Sequence, residues 1–148
     1  MSLPKPFAGL VIRYGYLWRD QHRQGLETGL KDRPCVVVLA VETKDNALLV
    51  TVAPITHTAP KIADDAVEIP LAVKQRLGLD TEKSWVVTTE VNRFTWPSYD
   101  LTPINQTPPY RYDYGVVPPH LFVKIRDAIV KRWLNKTLRL TGRDATLD

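Results

Sequence analysis

Sulfur is nearly absent from this chain of 148 residues, which has one cysteine, Cys35, and one methionine. A single cysteine forms no internal disulfide, so a reducing, cytoplasmic address is expected. Cys35 also heads an apolar run, where a free cysteine is expected to be core packing rather than a nucleophile. The three histidines, His22, His57 and His120, are scattered, and no Cys or His pair has ligand spacing. Neither a metal site nor a cofactor is predicted. No apolar run approaches the roughly 20 residues of a membrane span, and the opening MSLPKPFAGL has no apolar stretch of signal-peptide length. A soluble protein away from membranes is expected. Repeats, low-complexity blocks and linkers are missing too, so residues 1–148, 44% hydrophobic, predict one domain with 135–148 as a possibly frayed tail.

Charge and proline are what the sequence does have. The net charge of +4 is uneven: six basic against three acidic side chains in residues 1–33, seven against ten in 34–118, and seven against three in 119–148. Basic ends suit a polyanion or an acidic protein partner, although ordinary solvated surface explains them equally well. Twelve prolines and seven glycines cut the chain into short segments, which favours β structure. GLVIRYGYLW (9–18), PCVVVLAV (34–41), ALLVTVAPI (47–55), AVEIP (66–70) and SWVVTTEVNRFTW (84–96) read as strands, with another near YDYGVV. LAVKQRLGLD reads as a short helix stopped at Gly78. A closing helix starts at Pro118-Pro119, with Leu121, Phe122, Ile125, Ile129 and Trp133 on the face that docks on the sheet.

The stretch LKDRPCVVVLAV places Arg33 at the mouth of a buried strand. If 34–41 and 47–55 pair through a turn centred between Lys44 and Asp45, Arg33 falls opposite Thr56 at the open end of the hairpin. Pro34 and Pro54 donate no ladder hydrogen bond and mark where regular pairing stops. A merely decorated strand end is the competing reading.

In order along residues 9–134, VIRYGYLW, a charged loop containing glycine, RPCVVVLAV, VAPITHT, and an acid followed three positions later by a base (Glu90 and Arg93) resemble the MazF/PemK (Kid) toxin family. The resemblance implies a mainly β fold: a small SH3-like barrel of the CcdB/PemK kind, with a short internal helix and a C-terminal helix packed on the sheet. It also implies a homodimer, an antitoxin partner, and metal-independent endoribonuclease cleavage of single-stranded RNA. Arg33 and Thr56 match the family's catalytic arginine and threonine, and Glu90 matches an acidic position implicated in some members. His57 stands where a small hydroxyl residue often follows the threonine, and Val91-Asn92 replaces a glutamine and an apolar residue.

The chemistry suits these side chains independently. The 2′-hydroxyl of RNA can attack its own neighbouring phosphate, so a protein must position the chain, move two protons and steady the extra negative charge. A guanidinium such as Arg33 holds two phosphate oxygens, and Thr56 adds a hydrogen bond. For the proton transfer, His57 and the loop carboxylate Glu27 are both candidates. His22 shares that loop, while Trp18 and Trp96, at strand ends, are candidates for stacking on bases, with Arg93 as a further RNA contact. The alternative is a protein that cuts nothing: a CcdB-like inhibitor of DNA gyrase, or a degenerate barrel acting as an interaction module.

Overall fold

A computed structural model describes residues 3–25 and 31–144. The strands are β1 (Leu10–Tyr14), β2 (Arg33–Glu42), β3 (Leu48–Thr56), β4 (Ala66–Glu68), β5 (Trp85–Val87), β6 (Glu90–Trp96), β7 (Asp113–Val116) and β8 (Arg139–Gly142). The helices are α1 (Arg19–Arg23), α2 (Leu71–Leu77) and α3 (Pro119–Leu134). The fold is mainly β, as expected, and barrel-like. Its single eight-stranded sheet runs β4-β5-β3-β2-β1-β7, with β6 also on β3 and β8 on β6, and does not close. Pairing is antiparallel except between β6 and β8.

The first part of the apolar run in β2, Cys35 to Val37, is buried on both faces of the sheet, whereas Leu39 and Val41 farther along it are exposed. Val36, with Val11, Ala53 and Ile55, packs under α2 and α3 through Val73, Leu77, Leu121, Ile125 and Ile129. Cys35 and Val37 point the other way, to Ile12, Tyr14, Tyr16, Val50, Val52 and Phe94. Successive residues of a strand face opposite sides, so this two-cored part of the strand has no polar face to show. Burial pushes the Cys35 thiol pKa upward, which suits its expected role in packing.

The structure corrects four expectations. The strand 84–96 is two strands: between Val86 opposite Ile55 and Asn92 opposite Val52, five residues face two. The excess is anchored at the buried Thr88, whose backbone N–H donates to the Asp65 carbonyl at 2.9 Å and whose hydroxyl donates to it at 3.0 Å. The strand 9–18 ends at Tyr14. Trp133, placed on the docking face of α3, is 65% exposed. The tail 135–148 contains β8, which pairs with β6 from Glu90–Arg139 to Arg93–Gly142. Among the described residues no helix is long and apolar enough to cross a membrane.

Candidate functional site

At its open end the β2–β3 hairpin has the expected register, reached by an unexpected route. Cys35 faces Pro54 and Val36 faces Ala53, which projects Arg33 toward Thr56. The turn is centred on Asp45, half a position from the expected centre, which puts the pairing beside it one residue out of the expected register: Glu42 pairs Leu48, and Asn46 takes the left-handed φ of 60°. A bulge at Val38 removes that offset, since Val37 faces Val52 while Leu39 faces Thr51.

Arg33 is half-buried. One Nη1 hydrogen points at the Ile55 carbonyl, 3.4 Å away, and the guanidinium lies over the Trp18 ring at 5.0 Å. Its Nε is buried with no hydrogen-bond partner. Burial lowers the pKa of this guanidinium from its ordinary value, as expected of a cation short of counter-charge.

Trp18 is held in place from β6. The Glu90 carboxylate accepts from the Tyr16 hydroxyl at 3.1 Å and the Arg19 backbone N–H at 3.0 Å, spanning Trp18. The buried Asn92 amide exchanges two hydrogen bonds with the Leu17 backbone, at 2.9 and 2.8 Å. Burial, ahead of any neighbouring charge, raises the Glu90 carboxyl pKa. Glu90 therefore buttresses the aromatic behind Arg33 and lines neither of the two larger cavities that Arg33 opens on.

Those cavities meet at Arg33 and Thr56. One, of about 420 Å³, is walled by Trp18, Thr58, Pro60 and Thr89. The other, of about 260 Å³, is walled by Lys31, His57, Lys74 and Asp80. His57 shares it because β3 ends at Thr56: the Thr58 backbone N–H donates to Thr56 Oγ1 at 3.2 Å, and that turn frees His57 from strand alternation. His57 Nε2 lies 2.7 Å from Asp80 Oδ2, and Nδ1 lies 3.2 Å from Glu82 Oε2. Lys74, 1% exposed, donates to Asp80 Oδ1 at 2.5 Å, to Ser84 Oγ at 2.7 Å and to the Glu82 carbonyl. Ligand atoms of His57, Asp80 and Glu82 lie within 4.8 Å of one another. We do not read them as a metal centre, because the Lys74 ammonium already supplies the positive charge that Asp80 faces.

The other sequence candidates lie elsewhere. Glu27 is outside the described residues. His22 sits in α1 and lines none of the cavities around Arg33; Gln21 of the same helix lines a small one with Tyr16, Trp18 and Lys31. Arg93 pairs with Thr51, five residues along β3 from Thr56 and roughly 17 Å away at strand rise. Trp96 pairs with Leu48 at the far end of β3 and stacks on Phe94. A separate cavity of about 390 Å³ between β4 and α3 is lined by Lys131 and Arg132, but Arg132 is already paired with Asp65. Sequence reasoning missed Lys74 and Asp80. The available signal was faint: a lysine beside Val73 and Leu77 on the buried face of α2, with an aspartate just beyond the Gly78 helix stop.

No curated protein matches the chain. A family model does match, over residues 16–109, a span that takes in Trp18, Arg33, Thr56, His57 and Glu90 and ends before α3 and β8. That match covers well over half of the sequence and agrees with the open, barrel-like sheet: the chain belongs to the PemK-like, MazF-like toxins of type II toxin–antitoxin systems.

Proposed function

We propose that the protein is an endoribonuclease that cuts single-stranded RNA, with Arg33 and Thr56 holding the scissile phosphate. The observation that carries this reading is Arg33 itself. Among the described residues its guanidinium has no carboxylate within ion-pair distance, and its Nε has no acceptor, yet it opens on cavities shared with the Thr56 hydroxyl. A half-buried cation without a counter-ion is costly, and a phosphate at this spot would supply both the charge and the missing acceptors. Thr56 Oγ1 already accepts from Thr58, so its own proton is left to donate to the same phosphate.

The reaction asks little more of the protein. The substrate's 2′-hydroxyl is the nucleophile, so no water has to be activated. Arg33 steadies the charge that builds on the phosphate, and Trp18, braced by Glu90 and Asn92, fixes Arg33 from behind and offers an edge to a base. The toxin family implies an antitoxin partner, and the basic ends suit an acidic one. The resemblance that implies a homodimer is the support for that assembly. The aromatics of the first strand do not add to it, because Tyr14 and Tyr16 are buried in the protein's own core.

Purified protein incubated with a varied pool of unstructured RNA in excess chelator should leave 2′,3′-cyclic phosphate and 5′-hydroxyl ends. An intact pool overturns the nuclease reading and leaves the site to a protein-binding toxin. For the assembly, light scattering at micromolar concentration should give twice the chain mass of 16.8 kDa, and a monomer mass rejects the dimer.

A further inference from the structure

Lys74 sits at the bottom of the Arg33 cavity, and its burial needs a reason. A buried ammonium survives only with its donors satisfied, and here Asp80, Ser84 and the Glu82 carbonyl take them. Asp80 is gripped in turn. Its Oδ1 accepts from Lys74 and from the Glu82 backbone N–H at 3.2 Å, which leaves Oδ2 aimed at His57 Nε2. The Lys74 hydrogen bond is the first cause that lowers the Asp80 carboxyl pKa, and the His57 contact lowers it further. A helix-anchored cation thus fixes an exposed carboxylate, and the carboxylate fixes an imidazole beside Arg33 and Thr56.

We propose that Lys74 and Asp80 are positioning residues that present His57 as the general acid of the cleavage, with Nδ1 as the atom that gives up the proton. This rests on the nuclease reading above. Nε2 is tied at 2.7 Å to a carboxylate that Lys74 and the Glu82 backbone hold. Nδ1 faces Glu82 at 3.2 Å, and that side chain is 70% exposed. An arriving phosphate repels Glu82 and leaves Nδ1–H facing the substrate. As the 2′-oxygen bonds to phosphorus, the bond from phosphorus to the 5′-oxygen breaks and that oxygen takes the Nδ1 proton. The 2′-hydroxyl proton leaves to solvent water, and the imidazole afterwards recovers a proton from solvent. The charges around the ring are Asp80 and Glu82 from the loop after α2, Lys74 from α2, and Lys31, Asp32 and Arg33 from the entry to β2.

The test uses two short RNAs, one ordinary and one with sulfur in place of the 5′-oxygen that departs, because a thiolate leaves without needing a proton. The parent should cut both. His57→Ala should lose roughly 10²–10⁴ in rate on the ordinary RNA, the range of a general acid, and little on the sulfur substrate. Asp80→Asn should change the rate–pH profile on ordinary RNA, because the carboxylate that holds Nε2 of the ring is gone, and Asp80→Glu should restore it in part. Ring-nitrogen NMR of folded Asp80→Asn gives an activity-free readout: the Nε2–H signal should lose its carboxylate-bonded position. Equal losses by His57→Ala on both substrates, or an unmoved profile and ring signal in Asp80→Asn, overturn the relay while the nuclease reading stands. A parent that cuts neither substrate overturns both.

Discussion

Arg33 and Arg143 lie in similar surroundings with opposite outcomes. Each guanidinium rests on an aromatic ring, Arg33 over Trp18 at 5.0 Å and Arg143 over Tyr14 at 5.3 Å. The Arg143 side chain is 2% exposed and surrounded by acceptors: the Tyr14 hydroxyl at 3.1 Å, the Gly15 carbonyl at 2.8 Å, Asn92 Oδ1 at 3.0 Å and Asp100 Oδ2 at 2.7 Å. Arg33 has one distant carbonyl and a buried Nε with nothing to bond. The fold that satisfies one cation so fully leaves the other open on two cavities. Satisfaction identifies Arg143 as a bolt that fastens the tail after β8 to the sheet. Its lack supports the proposed role of Arg33 as an anion receptor, at a local cost in stability.

Exchanging the losses is the sharpest way to break this comparison. Arg33→Ala should lower RNA cleavage by roughly 10²–10³, as removal of a preorganised charge-stabilising donor does, while chemical denaturation is nearly unchanged. Arg143→Ala should do the reverse and cost about 3–5 kcal/mol of unfolding free energy, because Asp100 and the Asn92 network lose their buried cation. Denaturant titration and initial cleavage rates on both variants decide it. If Arg33→Ala unfolds as readily as Arg143→Ala, both arginines are structural.

A smaller effect belongs to Trp18. Trp18→Ala removes the ring behind Arg33 and a platform for a base, which is worth about 1–3 kcal/mol in single-strand binding. RNA affinity should fall by roughly fivefold to 150-fold, the equivalent of that range. Trp96→Ala, at the other end of β3, should leave affinity untouched and lower stability instead. Fluorescence anisotropy with a labelled RNA separates the two.

The hairpin and the Arg33–Thr56 end were legible because proline, β-branched runs and a polar turn are local signals. The register itself survived by compensation, with a turn at Asn46 that slips the pairing by one residue and a bulge at Val38 that undoes the slip. Neither feature is written in the β-branched run VVVLAV. The tail could not be read locally, since what orders it is Arg143 reaching Tyr14, Gly15 and Asp100, more than forty positions away in every case. Asn92 looked like a departure from the family pattern and is explained by Leu17, in the segment between β1 and α1, whose backbone it clasps. Lys74 was hidden for a simpler reason: lysine on a short helix normally reads as surface, and its burial is tolerable because Asp80, Ser84 and the Glu82 carbonyl accept its hydrogens.

Glu90 offers the finest test, because kinship suggests a catalytic acid while its surroundings suggest a brace. Burial raises its folded-state pKa, so the fold prefers the protonated form. That preference contributes fully below the ordinary glutamate range and is lost as pH rises through the raised value. Asp80 works in the opposite sense: its lowered pKa contributes above the ordinary aspartate range, and the contribution is lost as pH falls through the depressed value. Glu90→Gln keeps an oxygen for Tyr16 and Arg19 while removing the buried charge. It should therefore raise stability at neutral pH, and the gain over the parent should shrink as pH falls and the parent's own carboxyl takes up its proton. Thermal unfolding of both proteins from pH 4 to 7 reads that difference. Cleavage by Glu90→Gln should stay within a few-fold of the parent, since Trp18 remains braced. A large loss of rate with unchanged stability would return Glu90 to the chemistry and leave Trp18 braced by Asn92 alone.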